Sequence, residues 1–405
     1  MSVVLARSRV AVILAATTIG AIGGVAQAQP APSGYVSVFA DHLPNRDATE
    51  LRARLFAEEN VEAGPRVRFV ISGFAEGLLA DRRGLVRDAA FEAQDLTATV
   101  RTSRVDVSAG LARVVWGRLD ELQPTDVVNP IDVSRFFFEG RSEARLAVPM
   151  VRATIHGGEK ASIEGVFVPF FRRGRFDRLA ETSSPFSLAP PVPFSDRLPA
   201  RTAANAQGGA RASFTTGRVD WSLSAYRGFR PFGIYAAANP VTLERVYPRF
   251  TMIGADVETV AGPWGVRAEV AAFTRDAFQA PVEAMMLTGR SFDAGGGVDR
   301  KAGDYRFSGQ VLVHREVYDE RAARTDVSVI VSADRSFSRQ KYEGRLFGVY
   351  NPSSGAAFVR GVTRANMRDN VALEASIGVF GGDGVDSIGR FADSDFAYVR
   401  VKYFF

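Results

Sequence analysis

From residue 29 onward, apolar and polar residues alternate in segments of roughly ten, the period of a strand with one dry and one wet face. In the segment after Asn370, Val371, Leu373, Ala375, Ile377 and Val379 share one face, while Glu374, Ser376 and Gly378 share the other. Tyr305, Phe307, Val311 and Val313 oppose Arg306, Ser308, Gln310 and His314 in the same way, and Val266, Ala268, Val270 and Ala272 oppose Arg267 and Glu269. Helical periodicity is scarce. The pattern predicts eighteen strands, near 34–41, 49–58, 65–77, 89–101, 105–117, 147–157, 160–170, 203–216 and 218–229 in the first half. The second half adds 247–261, 263–275, 288–299, 303–316, 326–337, 340–350, 356–367, 369–381 and 392–405.

The connections alternate in length. Tight turns such as Ser103-Arg104, Gly217, Gly262, Gly303-Asp304 and Asp369 alternate with polar loops near 78–88, 118–146, 171–202, 230–246, 276–287, 317–325, 351–355 and 382–391. Short turns on one side and long loops on the other mark an up-and-down barrel, and an even strand count brings both termini to the short-turn side. A β-sandwich would alternate too, but the unbroken series of hairpins favours closure. The expected fold is all-β, a transmembrane up-and-down antiparallel β-barrel of about eighteen strands, or sixteen if the first hairpin is not part of the wall.

Composition sharpens this picture. The chain of 405 residues has a mean hydropathy of -0.02, too polar for a helical membrane bundle. A barrel whose faces alternate residue by residue averages to such a value. Arg7 and Arg9 precede the apolar stretch Val10 to Val25 and the Ala26-Gln27-Ala28 cleavage motif, so residues 1–28 read as an export signal and 29–405 as the barrel. Beyond Ala28 no run of about 18 apolar residues occurs, which excludes a spanning helix. The mature chain carries 48 basic and 45 acidic residues, no footprint for nucleic acid. There is no Cys, and His42, His156 and His314 lie far apart with no nucleophile motif beside them, so neither an enzyme, a metal site nor a cofactor is expected. Gly295-Gly296-Gly297 sits in a strand without a following helix, a bulge or flexible strand and not a phosphate cradle.

The last strand, Phe396 to Phe405, places Ala397, Val399, Val401, Tyr403 and Phe405 on one face and Arg400 and Lys402 on the other. This ending resembles the C-terminal assembly signal of bacterial outer-membrane β-barrels, here Val399, Val401, Tyr403 and Phe405, and the whole mature chain resembles a porin-type barrel. A local likeness over Trp116 to Phe170 joins Trp116-Gly117, Val127-Val128-Asn129-Pro130-Ile131-Asp132 and Val148-Pro149-Met150-Val151 to an uncharacterised group of porin-related barrels. The resemblance implies the outer membrane of a Gram-negative bacterium, with outer-membrane lipids, lipopolysaccharide and the barrel-assembly machinery as partners. A homo-oligomer is compatible with it.

A lumen this wide is a channel and not a packed core, and its selectivity rests on inward charges and an infolded loop. The third outward loop, 118–146, is the candidate. It carries Asp120, Glu121, Asp126, Asp132, Arg135, Glu139, Arg141, Glu143 and Arg145, with Phe136-Phe137-Phe138 as an anchor. In classical porins, which the chain resembles, this loop makes the constriction. A solvated outer loop pinned by its three Phe is the alternative. Strand parity sends Arg267, Glu269, Arg306, Arg345, Arg360, Arg364, Glu374 and Arg400 into the lumen, with an Arg excess that favours anions. Arg172, Arg173, Arg175 and Arg178 in loop 171–202 either draw anionic solutes, bind lipopolysaccharide phosphates or are simply solvated. The function expected is diffusion of small hydrophilic solutes, anions included. A barrel for polymer export or for scaffolding a surface complex is the other reading.

Overall fold

The computed structural model describes residues 32–190, 192–239, 241–280, 285–384 and 386–405. The export segment 1–28 lies outside them. The wall begins with β1 (Ser33–Leu43), β2 (Ala48–Glu62), β3 (Val67–Arg82), β4 (Leu85–Arg101), β5 (Val105–Ala112), β6 (Val148–His156) and β7 (Ala161–Val168). A loop strand, β8 (Phe194–Arg197), precedes β9 (Gln207–Thr216) and β10 (Val219–Phe229). Two further loop strands, β11 (Ile234–Asn239) and β12 (Thr242–Val246), precede β13 (Arg249–Ala261), β14 (Trp264–Gln279), β15 (Met286–Ala302) and β16 (Tyr305–Tyr318). The wall ends with β17 (Arg324–Phe337), β18 (Tyr342–Asn351), β19 (Ala356–Arg368), β20 (Val371–Gly381) and β21 (Phe396–Phe404).

Eighteen of these strands form one antiparallel sheet, and β8, β11 and β12 form a small second one. Each wall strand pairs with the next, and β21 pairs with β1 from Tyr35 opposite Phe404 to His42 opposite Ala397, which closes the barrel. Both termini lie on one rim, here the inner rim, where every turn between described strands has four residues or fewer. The long connections share the outer rim.

Closure puts alternate residues in two different solvents. Val270, Val311, Val331, Ile377 and Val399 point outward and are about half exposed, in a belt that water does not suit. On β15 the outward residues between Arg290 and Arg300 are Phe292, Ala294, Gly296 and Val298. Ten residues of tilted strand span about 25 Å of height, the thickness of an apolar barrel band. At the inner rim Trp264, Tyr305, Phe337 and Tyr342 form the aromatic edge of that belt, with Arg300 and Arg335 over their rings.

All eighteen wall strands fall where the alternation places them, with shifted ends. The expected loop at 78–88 is a two-residue turn: Arg83 and Gly84 take positive φ (58° and 146°) and β3 and β4 run on to meet it. The loop at 276–287 shrinks likewise. Both strands continue above the belt, where outward positions such as Asp81 and Arg87 are polar, so the alternation of hydropathy fades while the hydrogen-bond ladder continues. β5 errs the other way and leaves the wall at Ala112, because residues 113–117 keep their alternation inside the lumen.

An arginine on the belt, Val270→Arg, is expected to lower unfolding free energy by about 2–4 kcal/mol in lipid vesicles, the cost of a mid-bilayer cation on a barrel wall. Ser308→Arg, which points into a cavity, is expected to cost far less. Urea titration of the two vesicle-refolded variants checks the difference.

Candidate functional site

Beyond Ala112 the chain turns inward and crosses the lumen. Val114 and Trp116 pack on inward residues of β6, β7, β10, β13 and β14, among them Met150, Val166, Tyr226, Met252 and Phe273. Trp116 Nε1 donates to Glu164 at 2.7 Å. The crossing is received on the far wall by Glu269 of β14, only 1% exposed. Its carboxylate accepts the backbone N–H of Arg118, that of Leu119 at 2.6 Å and the Thr125 hydroxyl at 3.1 Å. Arg118 reaches Asp256 at 2.6 Å and Glu258 at 3.0 Å on β13. Gly117 sits at φ +96°, and a Cβ there would stand 2.8 Å from the Glu269 carboxylate, so only glycine fits. Farther around, Asp120 meets Arg267 at 3.2 Å, Gln310 of β16 donates to the Leu122 carbonyl at 2.8 Å, and Glu121 pairs with Arg345 of β18.

The returning half is seated on the opposite wall. Asn129 ties the two ends of the loop together, accepting from Val114 N–H at 2.8 Å and donating to the Ala112 and Leu146 carbonyls. A short helix, α1 (Val133–Glu139), starts at the N-cap Asp132, which accepts the Arg135 N–H at 3.2 Å and pairs with Arg175 at 2.6 Å. One turn, α2 (Arg141–Ala144), follows. Phe137 and Phe138 bury against inward rings of β1, β19, β20 and β21, with centroids 4.9 Å from Phe380 and 4.8 Å from Phe396. Glu139 lies between Arg54 at 2.7 Å, Arg135 at 2.8 Å and Arg400 at 3.6 Å. Burial alone would raise its carboxyl, but these guanidinium groups hold it well below the usual carboxylate range.

The next loop fills the lumen beside β2–β4. Arg172 and Arg175 pair with Glu92, Arg173 with Glu181 at 2.5 Å, and Arg178 stacks 4.0 Å over the Phe74 ring near Glu76. Asp177 joins Arg52 at 2.7 Å, and although burial opposes ionisation, Arg52 and Arg82 hold the carboxyl below its ordinary value. These four arginines are therefore braces of the loop and not an open collector at the entrance.

Two cavities open between this filling and the inner rim. One cavity of about 1040 Å³ is bounded by Asp120, Glu121, Gln123, Arg141 and Arg145 of the loop and by Lys301, Arg306, Ser308, Asp334 and Arg339 of the wall and turns. A second, of about 540 Å³, is bounded by Glu143, Arg360, Arg364, Glu374, Arg400 and Lys402. The two share Glu139, Asp334, Ser336 and Arg345. Basic groups exceed carboxylates by one in each lining, six to five and seven to six, a small bias and not an anion filter.

Of the loop residues singled out from sequence, Asp120, Glu121, Glu139, Arg141, Glu143 and Arg145 reach a cavity. Asp126 stands behind two of them, pairing with Arg145 at 2.7 Å and Arg141 at 3.2 Å. Asp132 and Arg135 are buried in the seat of α1. Of the wall charges, Arg306, Arg345, Arg360, Arg364, Glu374 and Arg400 line a cavity, whereas Arg267 and Glu269 serve as fasteners. Gln123, Lys301, Asp334, Arg339 and Lys402 also stand in the linings; alternation puts Asp334 and Lys402 on the inward face, while Gln123 lies in the loop, where no period marks it.

No protein-family model and no curated protein sequence matches the chain. Solved structures do. The chain is similar to Pseudomonas aeruginosa OccK5 (OpdH), with 11% identity, a TM-score of 0.54, and 92% of this chain and 97% of that one covered. This is the porin fold. P. aeruginosa OccK2 (OpdF), crystallised in complex with glucuronate, aligns at a TM-score of 0.52 and 9% identity over 92% of this chain and 95% of its own. P. aeruginosa OpdK, crystallised with vanillate, aligns at 0.52 and 11% over 92% and 98%. The porin wall is thus shared over nearly its whole length, and the local likeness at 116–170 finds no match of its own.

Glu269→Ala is expected to release three donors of the crossing segment at a cost on the order of 3 kcal/mol and to raise open-channel current noise. Urea unfolding and single-channel recording read the two effects. Because the folded Glu139 carboxyl is depressed, its contribution is complete above the ordinary carboxylate range and is lost only as pH falls well below about 4. Current noise is therefore expected to stay flat from neutral pH to pH 5 and to rise only in stronger acid.

Proposed function

We propose that this porin-fold chain is a diffusion channel of the bacterial outer membrane for small hydrophilic solutes, small carboxylates among them. One observation carries the reading: a loop pinned to both walls narrows the lumen to two charged cavities that meet at Glu139, Asp334, Ser336 and Arg345. Carboxylates from the loop face guanidinium groups from the wall there, an arrangement that orients dipolar solutes as they pass. Arg364 and Arg306 offer a fork to a carboxylate, because Arg364 has no ion pair among the described residues and Arg306 is about half exposed, 3.4 Å from Asp299. Glucuronate and vanillate, the ligands crystallised with two of the similar porins, are both small carboxylates, which supports this choice. Nothing in the lining is arranged for bond-making chemistry, so we take the chain to be non-enzymatic.

We take the belt to lie in the bilayer with the inner rim, which holds both termini, toward the periplasm. The outward row Val399, Val401, Tyr403 and Phe405 is taken as the signal read by the assembly machinery, and it lies at the closing seam, where the Gly34 and Phe405 backbones exchange hydrogen bonds of 3.0 and 3.1 Å.

Purified, refolded protein is expected to give steady currents in planar bilayers with a reversal potential weakly favouring anions. Arg345→Ser combined with Arg364→Ser is expected to shift that potential toward cations. A silent bilayer from folded protein overturns the channel, and an unchanged reversal potential overturns the assignment of these two arginines.

A further inference from the structure

Most lumen arginines differ from the arginines at the outer edge of the belt in how their charge is met. Inside, Arg52, Arg54, Arg118, Arg211 and Arg230 each pair with a carboxylate. Outside, at the outer edge of the belt on β10, β13, β14, β15 and β16, stand Arg227, Arg249, Arg275, Arg290 and Arg315, and none has a carboxylate partner among the described residues. Arg249 donates to the Ala204 carbonyl at 2.9 Å and Arg315 to the Thr325 hydroxyl at 3.2 Å. Asp319, just beyond β16, is engaged by the Thr288 hydroxyl at 2.7 Å.

The sheet register places these side chains along one arc. Arg227 is opposite Thr251 of β13, and Thr251 is opposite Thr274 of β14. The β14–β15 register then breaks between Phe273 and Asp276, so Thr274 and Arg275 together face Arg290. Arg275 takes φ 55° in this bulge, exposed, while the next residue, Asp276, turns inward to Arg230. Arg290 is opposite Val317, two residues from Arg315 on the same outward face. Neighbouring strands lie about 5 Å apart, so the arc is continuous for side chains as long as arginine. Directly below it come Leu223, Ile253, Val270, Phe292 and Val313 of the apolar belt.

A cation at the lipid boundary without a protein counter-charge favours an anion fixed in the same plane. Guanidinium forks select phosphate oxygens, and several of them spaced along the wall select a headgroup carrying more than one phosphate above acyl chains. Building on the outer-membrane reading above, we propose that the outer wall of β10–β16 binds the phosphorylated glucosamine headgroup of lipopolysaccharide through Arg227, Arg275, Arg290 and Arg315, with the acyl chains lying on the belt beneath. The bulge at Arg275 brings a charge to the lipid side that strict alternation would not supply.

The test uses the full-length folded barrel in detergent, titrated with bis-phosphorylated lipid A and followed by native mass spectrometry. Bound lipid is expected, and Arg227→Ser with Arg290→Ser and Arg315→Ser is expected to weaken it at least about tenfold, in line with three lost cation contacts. Arg290→Lys is expected to keep most of the binding, and Arg87→Ser, on the far wall, all of it. Equal binding by the triple variant, or by lipid A stripped of its phosphates, overturns the site. Displacement by an equimolar amount of inorganic phosphate also overturns it, since that would make the arc a binder of free anions. Conductance of the same preparations confirms that each variant is folded and reports on the channel separately: a barrel that conducts without binding lipid A refutes this site and leaves the channel standing.

Discussion

Pairing of β1 with β21 leaves the wall without a free edge, and the rest of the structure answers to that closure. A ring of eighteen strands satisfies its own backbone, as a wall in lipid must, but encloses more space than inward side chains can fill. The space is taken up by loops, and a loop inside a barrel brings its backbone polar groups with it. Each of those groups then needs a partner on the wall. Glu269 accepting from Arg118, Leu119 and Thr125, and Asn129 clasping the two ends of its own loop, are what that requirement looks like in practice.

The same logic explains the unequal filling of the lumen. On the β2–β4 side the wall offers Glu50, Arg52, Arg54, Glu76 and Glu92, and the loops answer with Asp177, Arg175, Arg178 and Glu139, so charge is neutralised and the space closes. On the β16–β20 side several wall charges have partial partners or none in protein, and the cavities persist there. Breaking one of the buried pairs leaves a stranded charge, which is why the closed side is expected to be mechanically firm whether or not such pairs stabilise the fold in total.

The wall was legible because its signal is local: two residues set the period, and lipid and water impose it eighteen times over. It blurred where that imposed contrast ended, at the extended ends of β3, β4, β14 and β15 above the belt, and at 113–117, where alternation reflects packing across the lumen in place of a ladder. The three strands β8, β11 and β12 are too short to carry a period. The inward loop could be picked out by its length, its charge and Phe136-Phe137-Phe138. Which charge meets which could not, because partners such as Glu121 and Arg345 are separated by 224 positions and join only through the loop's path. Glu269 and Arg267 have the same inward parity as Arg306, and only the arrival of Arg118 and Asp120 turns them from pore lining into fasteners. The arginines at 172–178 illustrate the converse, a basic run whose every member is consumed by folding.

Fastening one loop to both walls has a mechanical side. The segment from Ala112 through Glu121 to α1 acts as a tie across a hollow cylinder, with aromatic rings clamped at one end and carboxylate contacts at the other. A cylinder of strands alone flattens readily, since its hydrogen bonds resist stretching far better than bending. With the tie in place the cross-section cannot become oval without either breaking the contacts at Glu269 or tearing Phe137 and Phe138 from their rings. Lateral pressure in the surrounding bilayer and the width of the cavities beneath the loop are therefore one variable and not two.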